Sequence, residues 1–314
     1  MNPYSGSSFF EFFGILFERI VHFLLGKEMH WVSDEVQLAV LLLSALGCGL
    51  IAPFLILKRL AMFANALSHT SLLGVIGAFL LSSLFFSANV ANPWILFLGA
   101  VLSAIVTAGL IHAATRLFKL QEDAAIGLVF TSLFAFGVIF ASLFTRNCHL
   151  SAEAVMGNAD ALQVADISLA FWIALINAAF VLLFFRPLLA ISFDEPFAKV
   201  MGLSVSSYRA LFFLLTAVTS IGAFRAVGVV VILALLVGPY LIARKYSHCI
   251  GRLLWLTPAI GMSCCIIGVA LSRAILSISG IALSTSGVLT AVISAAFLLS
   301  SLKKEVSGKQ TILS

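Results

Sequence analysis

Asn65 and His69 lie four residues apart in KRLAMFANALSHTSLLGVIGAFLL, Lys58 to Leu81, with Ser68 beside them and Gly74 and Gly77 on the following turns. On a helix that spacing sets both side chains on one face. A neutral imidazole is the commonest side-chain ligand for transition metals, so this face is a candidate metal contact. The same spacing also suits a histidine that only hydrogen-bonds within a helical bundle. Residue types alone leave both readings open.

Two further groups carry chemistry. His149, Glu153, Asp160 and Asp166 fall in the polar stretch 145–166. They suit cation attraction or contact with an external protein, and an ordinary solvated loop explains them equally well. FDEPFAKVMGLSV, Phe193 to Val205, reads as a short helix. Asp194 can cap it, the carboxylates of Asp194 and Glu195 favour a helix N-terminus, and Gly202 is a standard stop. Phe197, Val200 and Met201 would then be presented on one short element, either to a groove in a partner or to the membrane surface.

What is missing narrows the chemistry. The five cysteines are scattered without a C-x-x-C pair, and no Cys/His set has the spacing of a closed zinc cage. Gly308–Lys309 is followed by Gln310, with no upstream glycine at the spacing of a phosphate-binding loop. The apolar segments hold essentially no carboxylate, whereas proton-coupled carriers and pumps usually keep one in mid-span. Energy for any transport must therefore come from another chain, unless the protein is a passive channel.

A bilayer must position these groups. Residues 36–57, VQLAVLLLSALGCGLIAPFLIL, hold no charge and stop at Lys58–Arg59. About 20 apolar residues cross ~30 Å of hydrocarbon. Comparable stretches recur near 67–86, 93–115, 124–145, 167–186, 208–224, 226–243, 253–272 and 280–302. The two flanking Arg225 are short and read as two spans or one bent element. With 62% hydrophobic and 10% charged residues, and a mean hydropathy of +1.16, a soluble enzyme is excluded. Lipid-facing backbone must be helical, and the alternation of a barrel is absent. The fold class is therefore all-α: a polytopic helical membrane protein of eight or nine transmembrane helices.

Residues 1–33 form an N-terminal amphipathic segment, 34–303 the transmembrane domain with a short helix near 193–205, and 304–314 a tail. Phe9 to Leu25 is too short and too charged for a comfortable span. Glu11, Glu18 and His22 share one helical face there, which predicts a helix lying in the membrane interface. Placing the segment after the first span inside puts thirteen of the 18 Lys and Arg residues on the inner side, with the C-terminus. That bias accounts for the net charge of +5 without nucleic acid. Arg225 and Arg273 fall outside, as headgroup or partner contacts.

These motifs, in this order, resemble the permease subunits of bacterial ATP-binding-cassette importers for manganese, zinc and iron. Against the family segment G-D-A-L-S-H-A-x-L-P-G this chain has Asn65, Ala66, Leu67, Ser68, His69, Leu72 and Gly74. Glu122 to Phe140, Arg146 to Leu162, Phe193 to Val205 and Ala226 to Arg244 supply further matches, so the resemblance runs from Ala45 to about Lys304. It implies a non-enzymatic subunit in the bacterial cytoplasmic membrane, with a second permease, identical or a paralogue, beside it. Separate ATP-binding subunits would lie inside and a metal-binding receptor protein outside. A divalent metal ion would be cargo, with no permanently bound cofactor. Asn65 and His69 would line the path, with Asn65 standing where the family has Asp. Asp194, Glu195, Ala198 and Gly202 would belong to the helix that receives force from the ATPase, and His149, Glu153 and Asp160 to the outer face. A stand-alone channel or secondary carrier for cations is the competing class.

Overall fold

The computed structural model describes residues 3–4, 9–25, 31–58, 60–85, 93–144, 159–280 and 283–312. Among them the chain forms α1 (Phe9–Leu24), α2 (Ser33–Leu57), α3 (Ala61–Phe85), α4 (Pro93–Leu117), α5 (Glu122–Phe144) and a 3-10 turn at Ala159–Ala161. It continues through α6 (Val164–Leu183), α7 (Phe185–Phe193), α8 (Glu195–Val200), α9 (Val205–Val227), α10 (Val229–Tyr246), α11 (Ile250–Ser279) and α12 (Thr285–Ile312). The described residues contain no strand.

Among the described residues seven helices, α2 to α6, α11 and α12, are long and apolar enough to cross a membrane, and α9 carries a shorter apolar stretch, Ala210–Ala223. The chain is a multi-pass helical membrane protein. The segments around Arg225 are two helices, and Arg225 belongs to the last turn of α9 rather than to a loop. The helix runs on to Gly228, where a backbone φ of +85° ends it. The last helix continues through 304–312, so the part of the 304–314 tail that is described is helical.

The chain divides into two compact units. The first comprises Met1–Pro53, Asn158–Ala174 and Ala234–Ser314, and the second Phe54–Gly157 and Leu175–Leu233. In the first unit α1 packs on α11, with Tyr4 and Phe12 buried and their rings 5.0 Å apart. Arg19 pairs with Glu35, and the Tyr4 hydroxyl donates to the same carboxylate at 3.2 Å. Burial, reinforced by that carboxylate, pushes the Tyr4 phenol well above its ordinary pKa. Asp34, 1% exposed, pairs with Arg273. The Arg273 charge read as a headgroup or partner contact is therefore engaged inside its own unit. Pairing offsets the cost of removing that charge from water.

The second unit is built on α3, which packs against α4, α5 and α9. Gly74 and Gly99 let the α3 and α4 backbones meet: a Cβ at Gly74 would overlap the Gly99 carbonyl, and one at Gly99 would overlap the Ala78 methyl. Ser103 Oγ donates to the Thr70 carbonyl at 2.6 Å and Thr107 Oγ1 to Thr70 Oγ1 at 2.9 Å. Small residues with interhelical hydrogen bonds are the means by which helices associate without a hydrophobic driving force. Asn177 and Thr219 do the same between α6 and α9, at 2.8 Å. Gly74→Val is expected to force α3 and α4 apart and to cost about 1–3 kcal/mol, as overpacking does. Thermal melting of the detergent-solubilised protein checks this, and an unchanged melting temperature would refute the close approach.

Candidate functional site

Asn65 and His69 both sit on α3 and are half-buried, while Ala64, Ala66, Leu67 and Ser68 around them are packed away. Side chains spaced i, i+4 on a helix are neighbours, about 5–6 Å apart at Cβ. The nearby hydroxyls are already committed: Ser68 Oγ donates to the Ala64 carbonyl at 3.0 Å and Ser71 Oγ to the Ser68 carbonyl at 2.5 Å. His69 is different. Its ring lies 5.2 Å from each of Phe130 and Phe134 of α5, and its Nδ1 is buried with no hydrogen-bond partner among the described residues.

A buried polar atom left unpaired costs about 1–3 kcal/mol. A donor or cation that reached the atom would recover that cost. Aromatic walls shield the ring and restrict its rotation. Among the described residues no three His, Cys, Asp or Glu side chains are grouped closely enough to hold a metal ion. One imidazole with one amide can touch a divalent ion without caging it, which suits passage rather than storage.

The 194–202 segment folds as its residues dictate. Asp194 Oδ1 accepts from the Phe197 N–H at 3.0 Å, capping α8, and Pro196 falls in the first turn, where no intrahelical N–H is required. At the other end the Gly202 N–H donates to the Lys199 carbonyl and the Leu203 N–H to the Ala198 carbonyl, at 3.0 and 3.1 Å. These are the paired bonds of a Schellman closure, and Gly202 adopts the required left-handed φ of +80°. Ala198 is wholly buried against Ile191 of α7 and Val205 of α9. Phe193, Phe197, Val200 and Met201 remain exposed, Val200 to 87%. Glu195 pairs with Lys58 at 3.8 Å.

Of the residues expected to face outward, Asp160 lies in the 3-10 turn. Its Oδ1 accepts from Gln37 Nε2 at 2.9 Å and from Thr285 Oγ1 at 2.6 Å, within the first unit. The carboxylate thus ties this turn to α2 and α12, an internal use that the sequence did not suggest. His149 and Glu153 lie outside the described residues. Two features escaped the sequence reading. The aromatic walls of His69 come from Phe130 and Phe134, whose i, i+4 spacing in EDAAIGLVFTSLFAF is the signal that marks them as one face. The partner of Lys58 is 137 positions further along the chain and left no local signal.

A family model described as the ABC 3 transport family matches residues 32–304. A probable metal transport system membrane protein of Chlamydia muridarum is 37% identical over 287 residues, covering 91% of this chain and 90% of the relative. The manganese transport system membrane protein MntD of Bacillus subtilis is 32% identical over 260 residues, covering 78% and 86% respectively. The solved structure of PsaBC from Streptococcus pneumoniae in complex with Fab superposes with a TM-score of 0.73 at 25% identity, covering 90% of this chain and 95% of that one.

Proposed function

We propose that this chain, which belongs to the ABC 3 transport family, is the membrane-spanning permease subunit of an ATP-driven importer of divalent transition metal ions. The observation that carries the reading is the Nδ1 of His69, buried with no hydrogen-bond partner among the described residues and set between Phe130 and Phe134 on a membrane helix with Asn65 one turn away. Relatives named for metal and manganese transport support the choice of cargo. Manganese, zinc and iron share these ligand types, and selection among them rests on geometry and supply.

The subunit works in the bacterial cytoplasmic membrane with its C-terminus inside. It pairs with a second permease, receives ions from an external metal-binding protein, and takes its energy from separate ATP-binding subunits docked at the exposed apolar face of α8. Asp194 and Gly202 shape that helix, Ala198 seats it, and Glu195 holds its first turn. The unpaired Nδ1 of His69 and the Asn65 amide contact the ion in transit.

Reconstitution tests the reading. Proteoliposomes holding this chain, its partner permease and the ATPase are expected to accumulate radiolabelled manganese or zinc only when ATP and the receptor protein are supplied. Accumulation against a gradient by the purified chain alone would favour the secondary carrier instead.

Asn65 fills a position where the family pattern carries Asp. An amide oxygen is a neutral ligand and brings no negative charge to offset the cation's, and the charge count of the ligands tunes how tightly a divalent ion is held. This chain then supplies the weaker half of a shared ion site. Asn65→Asp is expected to lower the half-saturating metal concentration for uptake by about tenfold, equivalent to ~1.4 kcal/mol. An unchanged concentration dependence and unchanged metal preference would remove Asn65 from the path.

A further inference from the structure

α8 is seated by Ala198 on α7 and α9, yet His69 lies on α3 and its aromatic walls on α5. A cleft beside α8 brings these elements together. It is lined by Lys58 and Leu60 just ahead of α3, Glu122 at the first residue of α5, Ile191, Ser192 and Phe193 of α7, Glu195 of α8 and Phe213 of α9. Across it Lys58 Nζ meets Glu195 Oε1 at 3.8 Å, with the lysine side chain 12% exposed and the glutamate 33%.

We propose that the Lys58–Glu195 pair is the positioning link through which displacement of α8 reaches α3 and α5, and so the ion contact at His69. The inference rests on α8 being the helix that receives the ATPase. A second route runs through α9, where Phe213 packs on Phe63 of α3 with ring centroids 4.8 Å apart. Apolar faces of that kind can slide past each other. A charge pair at the threshold of α3 resists separation, so a pull on α8 is felt at Lys58. From there the load is carried by a stiff element. The Leu60 N–H donates to the Leu55 carbonyl at 2.9 Å, joining the end of α2 to the start of α3. Beyond it, the Gly74–Gly99 contact and the Thr70–Thr107 bond lock α3 to α4. A partly exposed ion pair adds little to folding. Its loss should therefore alter coupling without unfolding the chain.

The test uses the full importer in proteoliposomes and reads metal ions moved per ATP hydrolysed, together with melting temperature. Lys58→Glu and Glu195→Lys are each expected to lower the ratio about fivefold or more, with melting little changed. The double exchange, Lys58→Glu with Glu195→Lys, is expected to restore the ratio to within about twofold. If either charge reversal prevents assembly, Lys58→Gln and Glu195→Gln give the same reading, each lowering the ratio. Single variants with an unaltered ratio, or a double exchange no better coupled than the singles, would overturn the link. Failure of the unmodified complex to couple hydrolysis to uptake would instead strike the assignment of α8 itself.

Discussion

His69→Ala is expected to reduce metal uptake by more than tenfold while the protein still reaches the membrane and binds its partners. The ring offers the unpaired Nδ1 that the described part of this face presents to a cation, and the hydroxyls beside it are bonded to backbone carbonyls. Removing it leaves the amide of Asn65, a weak neutral donor, as the remaining contact on this face. A tenfold loss corresponds to ~1.4 kcal/mol, less than the full worth of a metal–imidazole contact, so a larger drop is consistent. Alanine also empties the space between Phe130 and Phe134, and part of any effect would come from that cavity. His69→Phe separates the two causes. Phenylalanine refills the aromatic pocket but brings no nitrogen, so it should regain thermal stability and remain inactive in uptake. A phenylalanine variant that transports normally would show that the imidazole contributes packing alone.

The readable and unreadable parts of this molecule differ in range. The spans were legible because the bilayer imposes length and apolarity locally. α2, α5 and α6 begin within three residues of the expected starts. The end of α9 was less so, since it depends on the backbone conformation of Gly228, which composition does not encode. α8 was legible to its caps: Asp194, Pro196 and Gly202 act on the peptide groups of their own turn. His69 and Asn65 were visible as a helical face, but the walls of that face were not. The i, i+4 spacing of Phe130 and Phe134 puts them on one face, but in a chain with 28 phenylalanines only the packing of α5 on α3 sets that face against His69. Paired charges fall in the same class. Asp34 with Arg273 and Lys58 with Glu195 join positions 239 and 137 residues apart, and an ion pair carries no signature in either flanking sequence.

Gly202→Val is expected to uncouple the importer, leaving ATP hydrolysis within about twofold of normal while ions moved per ATP fall by about tenfold or more. Gly202 has φ +80°, where an L residue costs about 1–2 kcal/mol and a β-branched one fits worst. Nothing lies within 4 Å of a Cβ built there, so the penalty is backbone strain and not a clash. Relief of that strain breaks the two bonds that close α8, from Gly202 to Lys199 and from Leu203 to Ala198. Ala198 then loses its seat between Ile191 and Val205, and Phe197, Val200 and Met201 no longer present a fixed face. The damage stays local, because α8 is six residues long and exposed along that face, so the membrane helices should assemble as before. Asn tolerates the left-handed conformation and commonly replaces glycine at this helix-ending position. Gly202→Asn should therefore keep most of the coupling that Gly202→Val loses. Equal ratios of transport to hydrolysis in the valine variant and the unmodified protein would mean that α8 does not transmit the stroke.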